Sequence, residues 1–344
     1  MTATITPFPL SARANERTIV ALCGGVGGAK LAHGLYEVLE PGALSVIVNT
    51  ADDFQHLSLQ ISPDLDTVLY TLGGRADMER GWGRAGETWD FMDALREIGG
   101  EQWFQLGDRD IAMHVERTHW LQWGKTLSAF AQHVATRFDI AARIMPMTDD
   151  TVATWISTED GLMPFQHYFV KERCEPRVKG VHFEGAGHAK PPAAALAALA
   201  DPRLKAIIIC PSNPYLSIDP ILAIPAIRAA IMEASCPVVA VSPIIAGKAV
   251  KGPTAKLMTE LGFHPCWETV ARHYAGLVDG LLIDVGETHR RDKNTPLMIE
   301  SAPILMKTLD DRRRLGQTIL AFAETLPARK RGKGASPPVV FNRT

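Results

Sequence analysis

Five short runs of aliphatic and β-branched residues constrain this chain more than any other feature: Thr18–Leu22, Leu44–Val48, Ala206–Ile209, Val238–Val241 and Leu281–Ile283. Each is too short for a helix and none alternates apolar with polar residues, which is the pattern of strands buried on both faces of a parallel sheet. Helical periodicity lies between several of them. Ala29–Leu39 sets Leu31, Leu35, Val38 and Leu39 on one face, and Pro220–Glu233 and Ala255–Leu261 read as further helices. Strands alternating with helices give an α/β fold, here a Rossmann-like, doubly wound, mostly parallel sheet.

Residues 66–140 interrupt that alternation. Helices are expected at Asp66–Leu72, Thr88–Ile98, Asp110–Arg117 and Thr126–Arg137, and the stretch holds five of the seven tryptophans, so it reads as a mainly helical insertion that caps the sheet. Ile156–Pro192 is irregular, with a strand-like piece at His167–Val170. One α/β domain is expected over 18–326, between a flexible N-terminal tail (1–17) and a flexible basic C-terminal tail (327–344). The first seventeen residues lack the apolar core of a signal peptide or membrane anchor. With 36 Lys+Arg against 38 Asp+Glu, the net charge of −2 removes any global electrostatic reason to expect a nucleic-acid or anionic-membrane partner. Five cysteines at irregular spacing read as reduced thiols of a cytoplasmic protein.

The loops that end these strands carry the chemistry. After the first strand comes Cys23-Gly24-Gly25-Val26-Gly27-Gly28-Ala29-Lys30, after the second Asn49-Thr50-Ala51-Asp52-Asp53, after the third Cys210-Pro211-Ser212-Asn213-Pro214, and after the fourth Ser242-Pro243-Ile244-Ile245-Ala246-Gly247-Lys248. Ligands of open parallel sheets bind at the carboxyl ends of strands, so these loops describe one site. Gly25, Gly27 and Gly28 before a helix suit a phosphate, although the segment fits neither common fingerprint: Lys30 stands where a third glycine belongs and Leu31 where a Ser or Thr belongs. A tight turn without a ligand is the competing reading. Ser212 and Asn213 suit a base edge or phosphate, as do Ser242, Gly247 and Gly252, and among Lys248, Lys251 and Lys256 we single out Lys251 for a diphosphate.

Asp52-Asp53 and the pair in Pro63-Asp64-Leu65-Asp66-Thr67 stand beside the phosphate loop, a donor set for a hard cation such as Mg²⁺. Asp64 fits helix capping better, and Asp66 ligation. In the cap, the Trp82–Trp89 and Trp103–Asp110 segments combine aromatics with charges; the rings can stack on a planar ligand or simply form core. No nucleophile signature supports covalent catalysis.

Taken in order, Cys23–Lys30, Asn49–Asp53, Ile61–Leu72, Gly86-Glu87-Thr88-Trp89, Leu106–Asp110, Pro211–Pro214 and Ser242–Ile245 resemble the 2-phospho-L-lactate transferases (CofD/FbiA-like) of coenzyme F420 biosynthesis, from about Thr18 to Asp284. After Asp284 the sequence looks unlike that family. The resemblance implies transfer of a phosphoenolpyruvyl, phospholactyl or phosphoglyceryl group from a guanosine diphosphate ester to the ribityl hydroxyl of the deazaflavin Fo, releasing GMP and forming F420-0 or its dehydro form. It further implies a cytoplasmic homodimer with Mg²⁺ on Asp52 and Asp66 and with Asp52 or Asp53 as proton acceptor. The nucleotide would lie near Gly25, Gly27, Gly28, Lys30, Ser212, Asn213, Ser242, Gly247, Lys251 and Gly252, and the deazaflavin near Asp52, Arg84 and Thr88. A non-catalytic, nucleotide-sugar-binding regulator that shares the glycine loop and the Asp-Asp strand end is the alternative.

Overall fold

The computed structural model describes residues 17–249, 252–287 and 297–329. Lys251 lies outside the described residues, as do the two expected tails apart from Arg17 and 327–329. Arg329, expected in a flexible tail, is anchored: its guanidinium donates to Ile231 O at 3.0 Å and lies 3.3 Å from Asp279.

Seven strands form the central sheet: β1 (Thr18–Cys23), β2 (Leu44–Val48), β3 (Arg143–Pro146), β4 (Leu204–Ile209), β5 (Val238–Val241), β6 (Gly280–Asp284) and β7 (Met298–Ala302). Their order is β7-β6-β5-β4-β1-β2-β3, with every neighbouring pair parallel. The chain winds outward from β1 to β3, crosses back beside β1 as β4, and winds outward again. The switch point therefore falls between β1 and β4, where this architecture opens a crevice at the carboxyl ends.

All residues of β1, β2 and β5 are buried, because helices cover both faces. Along β1 the side chains alternate: Val20 and Leu22 join one apolar cluster, Ile19 and Ala21 the other. On the second face lie α1 (Gly25–Val38) and α2 (Pro63–Leu72), with α3 (Asp90–Glu97), α4 (Asp108–Gln122) and α5 (Leu127–Arg137) continuing the cap, and α6 (Leu309–Thr325) crossing α1. Leu31, Leu35, Leu65, Leu69, Leu315 and Ile319 fill that face. A Leu→Ala change at such a position costs about 2–5 kcal/mol. α6 starts at a capping box: Thr308 Oγ1 accepts from Asp311 N at 3.1 Å, and the Asp311 carboxylate accepts from Thr308 N at 2.9 Å.

Several elements depart from the sequence expectation. β3 and β7 are edge strands whose short or polar sequences, Arg-Ile-Met-Pro and Met-Ile-Glu-Ser-Ala, hide them. His167–Lys171 is a π-helix rather than a strand, because Tyr168 is driven into the core while the neighbouring Gln166 amide donates to Asp52 O at 3.2 Å. Pro220–Glu233 is split before Pro225: one helical segment ends at Leu222, and Pro214–Leu222 meets Pro225–Glu233 at 85°. Ala153–Thr158, Gly161–Pro164 and Val178–Glu184 make a separate antiparallel sheet from the segment that read as irregular. Among the described residues no single helix is long and apolar enough to cross a membrane.

Candidate active site

A cleft of about 600 Å³ opens at the carboxyl ends of β1 and β4. Its polar side is built from the loops after β1, β4 and β5 and from the start of α2. Two of these loops are locked together: Ser212 Oγ accepts from Gly24 N at 3.1 Å and donates to Gly24 O at 2.8 Å. A Cβ at Gly27 would stand 2.5 Å from Pro211 O, and one at Gly28 would stand 2.3 Å from Ser212 Oγ. Close packing of the two loops thus requires these glycines before any ligand is considered. Gly25, Gly27, Lys30, Ser212, Asn213, Ser242 and Gly252 line the cleft, while Gly28 and Gly247 do not. Gly247 lies in the hairpin turn between Ile244–Ile245 and Lys248–Ala249. Lys30 Nζ donates to Met306 O at 3.0 Å. Asn213 uses its Oδ1 to cap Tyr215 N and Leu216 N at 3.0 and 3.2 Å, which leaves its shielded Nδ2 as a donor without a protein partner.

The carboxylates fall into two groups. Asn49 Nδ2 donates to Asp52 Oδ2 and to Asp64 Oδ2, both at 3.0 Å, so these two acids share one amide. Burial first and the Asp64 charge second push Asp52 well above the usual carboxylate range. Burial raises Asp64 to about 6, against the hydrogen bonds of Asn49 and the Gly25 amide. Asp52 Oδ1 is shielded from solvent and makes no close hydrogen bond, while the Thr154 hydroxyl near the carboxyl works against the rise in its proton affinity. Asp66 belongs to the other group: its Oδ1 accepts from Arg117, and its Oδ2 lies 3.7 Å from His114 Nδ1. The carboxylate beside Asp52 is therefore Asp64, where the sequence paired Asp52 with Asp66. Nor does Asp64 cap α2. Ser62 holds the N-cap position, and its hydroxyl donates to Asp53 Oδ2 at 2.6 Å instead of capping the helix. Asp53 is buried, which raises its carboxyl well above the usual range, and it does not line the cleft.

The opposite wall is aromatic: Trp82, Trp103 and Phe104 from the cap face Phe165 and Phe169 around the π-helix. Trp103 packs edge-on against His56 and His167, each at 5.0 Å, and Phe165 stacks on Phe169 at 5.3 Å. Arg84 and Thr88 do not line the cleft; the Thr88 hydroxyl donates to Asp108 at the start of α4, and Trp82 takes the place facing the cavity.

The family model described as 2-phospho-L-lactate transferase CofD matches residues 19–320. The chain belongs to that family. This transferase family also includes relatives named for two acyl groups. A phosphoenolpyruvate transferase of Streptomyces coelicolor is 39% identical over 314 residues, covering 89% of this chain and 98% of that one. A 2-phospho-L-lactate transferase of Methanosarcina mazei is 38% identical over 275 residues, covering 80% and 89%. A crystal structure of a UPF0052 family protein from Bacillus halodurans superposes with a TM-score of 0.57 at 16% identity, covering 89% of this chain and 99% of that one, a likeness of fold.

The CofD match runs beyond Asp284, where the sequence looked unlike the family, and takes in β7 and most of α6. Sequence reasoning favoured helix capping for Asp64 and gave no individual role to Asn49, Tyr70, Asp110, His114 or Arg117. A signal was present for three of them: Asp110, His114 and Arg117 stand at i, i+4 and i+7 on α4, one stripe of a single helix.

Proposed function

We propose that this chain transfers a phospho-acyl group (phosphoenolpyruvyl, phospholactyl or phosphoglyceryl), with phosphoenolpyruvyl preferred over phospholactyl, from a guanosine diphosphate ester to the ribityl hydroxyl of Fo. The hydroxyl oxygen forms a bond to the phosphorus that carries the acyl group, the anhydride bond to the inner phosphate breaks, and GMP leaves. The hydroxyl proton passes to Asp52, and the product is F420-0 or its dehydro form.

The observation that carries this reading is Asp52, a buried carboxylate that lines the cleft between the nucleotide-type loops and the aromatic wall and whose Oδ1 makes no close hydrogen bond. Burial and the Asp64 charge raise the proton affinity of the Asp52 carboxylate above the usual carboxylate range, which suits it to accept a proton. Asn213 Nδ2, which can only donate, suits an acceptor on the guanine edge. The aromatic wall suits the flat tricycle of the acceptor and replaces Arg84 and Thr88 in that role.

Mg²⁺ fits the donor set, since two like-charged carboxylates held on one amide, with one oxygen unpaired, favour a hard divalent cation between them. Asp52 and Asp64 would hold it; once bound, it would neutralise diphosphate charge. Phosphoryl transfer needs positioning and charge neutralisation more than covalent chemistry, which agrees with a site that has no nucleophile signature.

The test places purified protein, Fo, Mg²⁺ and all three guanosine diphosphate esters in one tube, with the products weighed by mass spectrometry. Dehydro product in excess supports the reading, whereas exclusive use of the lactyl donor overturns the preference. No product from any donor, together with tighter binding of a uridine nucleotide-sugar than of GDP, would establish the regulator instead.

A further inference from the structure

Gln166 stands where the polar and aromatic sides of the cleft meet. It lines the cleft with Asp52 on one side and with Phe165, Phe169 and Val170 on the other, and it is only 5% exposed. It immediately precedes the π-helix (His167–Lys171), whose Tyr168 is fully buried and accepts from Lys256 Nζ at 3.4 Å. That anchor fixes the wide turn of the π-helix, and with it the direction of the side chains that flank it. Phe165 and Phe169 stack with 16° between their planes, while Gln166 reaches the end of β2.

Its contact with Asp52 settles which way the Gln166 amide is turned. A peptide carbonyl only accepts, so the group 3.2 Å from Asp52 O is Nε2, and Oε1 is directed elsewhere. Oε1 accepts from no described residue, nor is it shielded from solvent in the way that Asp52 Oδ1 is. In a residue that lines the cleft, this leaves an acceptor oxygen for a ligand. Asn213 is the reverse case: its Oδ1 is used on the backbone, and its Nδ2 is the donor left over. The two amides thus offer opposite polarity, a donor among the nucleotide-type loops and an acceptor beside the aromatic wall.

An oxygen that can only accept suits a hydroxyl-rich ligand, because a hydroxyl has a proton to donate and an ionised phosphate has none. We propose that Gln166 orients the acceptor: its Oε1 accepts a hydrogen bond from a non-reacting hydroxyl of the polyol chain, so that the terminal hydroxyl is the one brought to Asp52. This deepens the reading of Fo as the acceptor and rests on it. Neighbouring hydroxyls are joined by fixed bonds, so holding one limits where the next can go. The same amide holds the Asp52 peptide, and substrate and proton acceptor thereby share one point of reference.

The probe is an Fo analogue with a 5-hydroxypentyl chain, which keeps the ring and the terminal hydroxyl and lacks the inner ones. The fluorescence of Fo and of the analogue is titrated with the purified full chain in excess GDP and Mg²⁺. Wild type should bind Fo about 3–10-fold more tightly than the analogue, the worth of one hydrogen bond. In Gln166→Met, which keeps the length of the side chain without its amide, that ratio should fall to about one. A role confined to the Asp52 peptide would weaken both ligands alike and leave the ratio in place, which would overturn the proposal. Equal binding of the two compounds by wild type would overturn it as well, even where Gln166→Met and a second variant, Gln166→Ala, do not fold. Binding of neither compound by wild type would instead remove the Fo reading itself, and this proposal with it.

Discussion

On the sheet side of the cleft, the Gly24–Gly28 and Pro211–Asn213 loops are joined by two hydrogen bonds through Ser212 and pack so closely that two glycines admit no Cβ. On the cap side, Trp82 is 49% exposed and Phe169 38% exposed, and the wall is an assembly of rings from three separated segments. The first surface is pre-formed backbone and tolerates almost no change. The second is made of side chains that a flat ligand can complete. On the proposed function, the rigid half would fix the phosphates and the reacting centre, while the softer half would admit a large acceptor and release the product.

Four experiments strain this contrast. Asp52→Ala should lower transfer by about 10²–10⁴-fold while circular dichroism stays native, because it removes the proton acceptor without touching the packed core; a rate near wild type would end the assignment. Gly28→Ala should lose GDP binding and destabilise the fold by about 1–3 kcal/mol in urea, since the new Cβ meets Ser212 and the Cys23 side chain. Unchanged values for both would show that the sheet side is as adaptable as the cap. Trp82→Ala should weaken Fo binding by roughly 2–10-fold, the equivalent of about 0.5–1.5 kcal/mol of ring contact, with GDP affinity unaltered. A parallel loss of GDP affinity in calorimetry would erase the division between the halves.

The smallest effect concerns pH in the metal-free protein. Asp64 titrates near 6 in the fold, against about 3.9 in an unfolded chain, so the folded state binds the extra proton in the window between those values. Its contribution is fully present below about pH 4 and is lost as pH rises through 6. In the presence of EDTA, the difference in urea midpoint between pH 5 and pH 7 should be smaller in Asp64→Asn than in wild type. An identical difference in the two proteins would mean that Asp64 carries no such strain.

Much of the sheet side was legible in the sequence. Apolar runs and the turn-rich loops that end them placed four strand ends around one crevice, and Gly25, Ser212, Asn213 and Asp52 were found there. The cap side was less legible, because its wall is formed by residues far apart in the chain: Trp82, Trp103 and Phe165 meet only after α2–α5 and the π-helix have packed. Edge strands β3 and β7 escaped for a local reason: β3 is only four residues long and closes on Pro146, and β7 is partly exposed and carries Glu300 and Ser301.

The division between Asp64 and Asp66 marks where the sequence stops. Two residues apart on α2, they point about 200° from each other around the helix axis, so the sequence alone determines that both cannot face the same partner. Which of them meets Asn49 and Asp52, and which meets Arg117 and His114, depends on how α2 is rotated against the sheet. Leu65, Val68 and Leu69 fix that rotation by entering the apolar face shared with α1. Only that packing sends Asp64 to the strand end and Asp66 to the cap, because the free energy of burying the leucines exceeds anything the two carboxylates can set by themselves.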